Sequence, residues 1–196
     1  MVALARPVDL LIAKFGEMVK ENVPLAPYTS ARIGGPADIF ITVDSVAALA
    51  RVVKYLWKND MPFLVMGGGS NLLVSDKGAR GVVVLNRAKK VTFHAGNQPS
   101  VSAESGVVFS NLANRCASKG FGGIEWAAAV PGTIGGAVYG NAGAFGGDVA
   151  GSLLSTELLT ETGREKFSVE QMGYGYRASL LKRGELKAIV LSAEFS

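Results

Sequence analysis

Two glycine-rich segments constrain this chain more than any other feature, because a backbone without Cβ atoms is used where something must approach it closely. The first, GGGSNLLV at residues 67–74, follows a short apolar run. Its consecutive glycines let backbone N–H groups surround an anion, and Ser70 and Asn71 add a hydroxyl and an amide. The pattern favours a diphosphate site, with a tight turn that binds nothing as the alternative. It is neither a Rossmann fingerprint nor a P-loop, since it lacks a third spaced glycine opening a helix and a following lysine.

The second segment, residues 123–149, mixes glycines with small residues suited to a helix. Its Pro-Gly-Thr sequence at 131–133 is typical of a helix start, where free N–H groups would face a phosphate or a flavin carbonyl. Gly135 and Gly136 would keep the surface of that helix low enough for a flat ring to pack on it. The alternative is a glycine-lined contact between a helix and a sheet.

Charge and residue usage exclude several classes of function. The net charge is +4, but the twenty basic residues are scattered, which argues against nucleic-acid binding and suits a site for a small anion. One cysteine and one histidine are too few for an internal disulfide or a Cys/His zinc site, so we predict no metal site. Cys116 falls in a helical pattern as a small buried residue, and His94 on a strand.

Neither a cleavable signal nor a membrane span is apparent in the sequence. The apolar stretch near the N-terminus is short and interrupted by Lys14, and no run approaches the roughly 18 apolar residues of a spanning helix. We therefore expect a cytoplasmic protein without a membrane partner.

The spacing of apolar residues predicts an α+β chain in two subdomains, residues 1–86 and 87–196. In the first, a strand, a helix capped at Asp44-Ser45 and a second strand form a βαβ unit, which places the loop at Gly67 at the carboxyl edge of the sheet. Helices are predicted at residues 9–19, 46–57 and 109–119, and strands at residues 37–43, 62–66 and 81–85, in the runs KVTFHAG and SVSAESG, and in SLLSTELLT and KAIVLSAEF.

GYGYRASLLK, at residues 173–182, places Tyr176 and Arg177 beside a serine. An arginine fork suits a carboxylate held by two parallel hydrogen bonds. Alone, this pattern is more typical of a surface or structural arginine.

Four segments occur in order: YTSARIGGPADIF, VMGGGSNLLVSD, IEWAAAVPGTIGGAVYGNAGAFGGDV and YGYRASLLK. Together they resemble the MurB family over residues 28–196. The resemblance implies a fold of the vanillyl-alcohol-oxidase (PCMH) type, with FAD held without a covalent link between two subdomains. It also implies NADPH as hydride donor and the enolpyruvyl ether of UDP-N-acetylglucosamine as substrate, which is reduced to UDP-N-acetylmuramate for peptidoglycan synthesis.

The resemblance also implies roles for matching positions. Arg177 would meet the enolpyruvyl carboxylate and stabilise the enol-like charge, and Tyr176 would lie near the substrate. The cofactor would contact Arg32, the diphosphate loop Gly67, Gly68, Gly69, Ser70, Asn71 and Leu72, and the second segment at Val130, Pro131, Gly132, Thr133, Gly135, Gly136, Asn141, Ala142 and Gly143.

In the family, the chain continues into a substrate-binding domain that carries the serine that protonates C2. This sequence stops at Ser196, so we expect a fragment, a truncated product or part of a split enzyme with a separately encoded C-terminal domain, and poor UDP-sugar reduction by this chain alone. Ser179 and Ser192 do not match the motif of that serine. The alternatives are another FAD-dependent oxidase or dehydrogenase of the same fold and a non-catalytic flavin-binding remnant.

Overall fold

Residues 6–196 are described by the computed structural model, and they form two main β-sheets with helices packed against them. The first sheet contains β1 (Val19–Pro24), β2 (Pro36–Val43), β3 (Phe63–Met66) and β4 (Ala79–Asn86). Its strand order is β1-β2-β4-β3, with β2 and β3 parallel to β4 and β1 antiparallel to β2. The predicted strand–helix–strand unit is present, but β4 lies between its two strands.

Helix α2 (Val46–Lys58) connects β2 to β3 and begins at the predicted cap. The Ser45 hydroxyl accepts a hydrogen bond from the backbone N–H of Ala48 at 3.3 Å, which satisfies one of the free donors of the first turn. The buried face of α2 packs on the first sheet through side chains such as Leu49, Val53 and Leu56. Full burial of each leucine or valine contributes about 1.5–3 kcal/mol.

The first helix is shorter than predicted. Helix α1 (Pro7–Phe15) ends at Gly16, whose φ of +61° leaves the helical region, and Val19 already begins β1. The sequence VKENVP of β1 is mostly polar and exposed, because this strand lies at the edge of the sheet and pairs only with β2. An exposed edge strand has no apolar alternation, so the sequence did not predict it.

The second sheet is antiparallel. Its strands are β5 (Val91–His94), β6 (Ser100–Glu104), β9 (Leu153–Leu159), β10 (Arg164–Ser168) and β11 (Ile189–Phe195), with the short strands β7 (Gly143–Ala144) and β8 (Gly147–Asp148) forming a separate hairpin. Its order is β10-β9-β11-β6-β5. Three helices belong to this half of the chain: α3 (Phe109–Ala117), α4 (Ile134–Gly140) and α5 (Val149–Ser152). His94 lies on a strand as predicted, with its Nε2 2.9 Å from the Ser102 hydroxyl.

The cores of the two sheets meet. Leu159 and Leu191 of the second sheet are fully buried in the cluster that packs under α2. The two sheets fall on either side of residues 87–90, while a division into subdomains at that point remains a prediction. Within residues 6–196, no helix has both the length and the apolar character to cross a membrane.

Cys116 is buried in α3 with 1% exposure, as the helical pattern predicted, and burial raises the pKa of its thiol. The thiolate is the reactive species, so iodoacetamide should modify the native protein at least about tenfold more slowly than the urea-unfolded chain at the same pH. Mass spectrometry reads this directly because the chain has one cysteine. Equal rates in the two states would contradict the buried position.

Candidate functional site

The two glycine-rich loops, which come from different sheets, lie against each other. A Cβ on Gly67 would collide with the Oγ1 of Thr133 and lie 2.8 Å from its Cγ2. Next to this contact, a Cβ on Gly68 would be 3.7 Å from the Cα of Gly132. Real Cβ atoms are not found closer than about 3 Å to such atoms, so glycine at 67 is a condition for the two loops to meet.

The first glycine-rich loop is also held by Ser30, which lies between β1 and β2. Gly69 has a φ of +61°, and its carbonyl oxygen accepts a hydrogen bond from the backbone N–H of Ser30 at 3.2 Å. The Ser30 hydroxyl donates to the Ser70 hydroxyl at 3.3 Å. Asn71 is exposed, and its side chain makes no hydrogen bond within the described part of the chain. The loop is therefore rigid while its polar side chains face outward.

A cavity of about 1600 Å³ opens beside the two loops. It is bounded by the free edge of β3, by α4 and by residues 181–190, and it exceeds the about 300–1000 Å³ usual for small ligands. Most of the predicted site residues line it: Gly67, Gly68, Gly69, Ser70, Asn71, Leu72, Val130, Pro131, Gly132, Thr133, Gly135, Gly136, Ala142, Gly143 and Arg177. The volume suits a ligand as long as a dinucleotide.

The start of α4 differs from the prediction. The N–H groups of Ile134 and Gly135 donate to the carbonyl oxygens of Val107 and Ser105 at 2.9 and 2.8 Å, so the expectation that free helix N–H groups face a ligand is wrong for these two. The residues that follow β6 reach under the helix and take both donors. Helix α4 instead leaves open space beside the exposed Gly136, where a Cβ would meet no atom within 4 Å.

Three predicted site residues are not part of the cavity wall. Arg32 is exposed with a φ of +57°, and Tyr176 is 94% exposed at the tip of a turn. Asn141 is only 4% exposed, and its side chain bonds to backbone and to Asp148.

Arg177 lies at the rim of the cavity, at the end of a tight turn. The backbone N–H groups of Gly175 and Ala178 each donate to the other residue's carbonyl oxygen at 3.1 Å, and Arg177 itself has a φ of +53°. The Nη2 of Arg177 donates to the Gly143 carbonyl oxygen at 2.8 Å, its only side-chain hydrogen bond among residues 6–196. The rest of the guanidinium is free to meet an anion.

Lysines and aromatic residues that the sequence did not single out also line the cavity. Lys182 brings positive charge to its wall, and Tyr139 and Phe145 bring rings. Lys187 also lies there, with its ammonium paired with the Glu161 carboxylate at 2.7 Å. Lys182 lay within the YGYRASLLK motif, but nothing in a single sequence indicates which lysine of a scattered set faces a cavity. Trp126 lies elsewhere: it packs edge-on against Phe109 at 5.3 Å between ring centres.

Tyr174 precedes the Arg177 turn and has a buried phenol. Its hydroxyl is buried and has no hydrogen-bond partner in the described chain. Burial, and secondly the Asp148 carboxylate, raise the pKa of this phenol, so it stays neutral.

Known proteins share this arrangement. The FAD binding domain family matches residues 37–166. The chain is 40% identical over 188 residues to the UDP-N-acetylenolpyruvoylglucosamine reductase of Carboxydothermus hydrogenoformans, covering 95% of this chain and 61% of that protein. It is 43% identical over 167 residues to the reductase of the same name from Bacillus velezensis, covering 84% and 54%. The chain thus spans roughly three fifths of the length of these curated relatives.

Solved structures agree. The UDP-N-acetylenolpyruvylglucosamine reductase of Thermus caldophilus superposes with a TM-score of 0.74 at 30% identity, over 90% of this chain and 61% of that one. A VAO-type flavoprotein of Myceliophthora thermophila, 18% identical, has a TM-score of 0.60 over 82% of this chain and 32% of that one, which shows the fold alone. The predicted resemblance to the MurB family and the predicted fold of the vanillyl-alcohol-oxidase type are confirmed. With two thirds of its residues matched by the family and its glycine loops meeting at one large cavity, this chain belongs to the FAD binding domain family.

Proposed function

We propose that the chain binds FAD in the cavity, with the diphosphate at residues 67–71 and the ring system along α4. The observation that carries this placement is the meeting of the two loops, where the backbone is bare at Gly68 and Gly132 and a ligand can approach it closely. Ser70 and Asn71 are the side-chain donors for the diphosphate. FAD, when bound, supplies a hydride acceptor and donor.

Several residues would support the cofactor in different ways. Lys182 lies on the cavity wall and would offset part of the charge of the diphosphate, whereas the Lys187 ammonium is paired with the Glu161 carboxylate at 2.7 Å. Gly136 would leave room for a flat ring, because no side chain stands on that face of the helix. The two glycine loops would hold FAD between residues 1–86 and residues 87–196, which we propose as the two FAD-binding subdomains.

We further propose that the chain is the FAD-binding part of a UDP-N-acetylenolpyruvoylglucosamine reductase. NADPH would be the hydride donor and the UDP-sugar enolpyruvyl ether the acceptor, in the cytoplasmic synthesis of peptidoglycan precursors. Support comes from about 40% identity to the curated relatives over nearly all of this chain. It also comes from Arg177, which stands at the cavity rim with most of its guanidinium free.

The chemistry of the substrate explains what Arg177 would do. Hydride addition at C3 of an enolpyruvyl group places negative charge at C2, in conjugation with the carboxylate. The guanidinium would bind the carboxylate and would stabilise this charge as it develops, which accelerates the reaction more than binding alone. Tyr176, one residue earlier in the same turn, would lie close to the substrate.

FAD binding is tested on the chain itself. The purified protein is incubated with FAD, separated from free cofactor and examined by absorption spectroscopy, with titration calorimetry for the affinity. We expect a yellow protein with one FAD per chain, whose flavin absorbance bleaches when NADPH is added without oxygen. Protein that stays colourless after incubation would contradict the cofactor assignment.

The substrate is tested in a chimera. Residues of this chain replace the matching 188 residues of the Carboxydothermus hydrogenoformans relative. We expect NADPH oxidation that depends on the enolpyruvyl UDP-sugar and falls by at least about a hundredfold in an Arg177→Ala version. A chimera that binds FAD and oxidises NADPH without any response to the UDP-sugar would refute the substrate assignment and leave FAD binding intact.

A further inference from the structure

Three hydrogen bonds join residues 175–179, which include Arg177, to the last turn of α4 and the loop after it. The Asn141 side-chain amide donates to the Gly175 carbonyl oxygen at 3.0 Å, and the Ser179 hydroxyl donates to the Tyr139 carbonyl oxygen at 2.7 Å. The third is the bond from Arg177 to Gly143. The first two bonds flank Arg177, two residues before it and two residues after it.

Asn141 and Ser179 have no capacity left for a ligand. Asn141 is 4% exposed and also bonds to Asp148 through Nδ2 at 3.3 Å and to the N–H of Ala150 through Oδ1 at 3.0 Å. Ser179 is fully buried, and its Oγ also accepts from the backbone N–H of Lys182 at 3.2 Å. Every strong donor and acceptor of the two side chains is therefore directed at the protein.

Arg177 needs such support. A φ of +53° is costly for an arginine, at about 1–3 kcal/mol, and persists only where the surroundings impose it. Lys182 adds to the constraint by donating from Nζ to the Arg177 carbonyl oxygen at 2.8 Å. The Arg177 side chain itself is exposed and makes one hydrogen bond, so its position depends on the backbone of the turn.

We propose that Asn141 and Ser179 are positioning residues for Arg177: they fix the 175–178 turn on the end of α4 and so set the affinity for the carboxylate of the substrate. This rests on the role proposed above for Arg177. The proposal assigns Asn141 to the substrate side of the site, whereas the family resemblance assigned it to the cofactor. A cofactor ligand at 141 would instead change FAD affinity and leave Arg177 in place.

The test uses Asn141→Gly and Ser179→Ala. Glycine at 141 removes the whole side chain with its amide but keeps the φ of +45° without strain, which makes it a better probe than alanine. Thermal unfolding shows that each variant is folded. The first readout is the ¹⁵N–¹H spectrum of arginine side chains in the FAD-free chain, with the Arg177 signal assigned by its loss in Arg177→Lys. We expect that signal to move to the position of a freely rotating arginine in both variants.

The second readout is a double-mutant cycle with Arg177→Ala in the FAD-loaded chimera with the Carboxydothermus hydrogenoformans relative. Affinity for the enolpyruvyl UDP-sugar, followed by the flavin spectrum, should fall about tenfold in each single variant and change less than about twofold when Arg177 is already alanine. FAD affinity should stay within about twofold throughout. An unchanged Arg177 signal, an equal loss of sugar affinity in the Arg177→Ala background, or a tenfold loss of FAD affinity would overturn the proposal. A wild-type chain that fails to bind FAD would instead refute the proposed function, and the arginine spectrum would still decide the positioning.

Discussion

Replacing Gly69 by alanine is expected to lower the free energy of unfolding by about 2–4 kcal/mol and to abolish FAD binding. Two causes act together. The φ of +61° at this position is strained for any residue with a Cβ. The new Cβ would also collide with the carbonyl oxygen of Tyr28 and lie 2.9 Å from the Cα of Thr29. Both neighbours are backbone atoms, so no side-chain rotation relieves the contact and the whole loop must move.

Gly68→Ala is the matched control for this experiment. Its Cβ would have the Ser70 hydroxyl as its nearest neighbour, at 3.5 Å, which is an ordinary contact, and its φ is not in the left-handed region. We expect its stability to stay within about 0.5 kcal/mol of the parent chain. Urea unfolding of both variants without FAD measures the difference. Equal stability of the two would mean that the loop does not have the described conformation.

Gly136→Ala is expected to raise the stability of the FAD-free chain and to lower its affinity for FAD. A Cβ at this exposed helical position meets no protein atom within 4 Å, and alanine favours a helix over glycine by up to about 1 kcal/mol. The FAD-free chain should therefore become slightly more stable. If the ring system lies along α4, the same methyl group occupies its space, and FAD affinity should fall by at least about tenfold.

Gly151→Ala is the control for the general effect of replacing a helical glycine by alanine. Gly151 lies in α5, outside the cavity, and its Cβ would be 3.4 Å from the Asp148 carboxylate. FAD affinity, measured by calorimetry, should be unchanged in this variant. If Gly136→Ala also left FAD affinity unchanged, the ring system would not lie along α4, although the diphosphate could still be bound by residues 67–71.

The sequence was informative where short-range chemistry determines structure. Ser45 caps α2 because its hydroxyl reaches an N–H three residues away, and the apolar run before Gly67 is a strand that ends at the loop. The glycine loops were found because a missing Cβ is visible in a sequence. By contrast, the polar strands β1 and β10 lack apolar alternation, and β4 enters between β2 and β3 through pairings that no local pattern encodes.

Within the site, the sequence could not show contacts between residues that are distant along the chain. The Pro-Gly-Thr sequence at 131–133 did precede a helix, but the residues after β6 take the N–H groups of Ile134 and Gly135. Asn141 lies in a motif that the resemblance assigns to the cofactor, yet its amide reaches Gly175, 34 residues away. A motif indicates that a polar residue matters, whereas only the fold shows which group it contacts.

The contact between Gly67 and Thr133 has an evolutionary consequence. The three atoms nearest to a Cβ at 67 all belong to the Thr133 side chain, so the space is available to one residue or the other. A larger residue at 67 becomes acceptable only in a lineage that has already lost the threonine. The order of the two changes is therefore fixed, although the positions are more than sixty residues apart: position 133 can change while glycine remains at 67, but position 67 cannot change first.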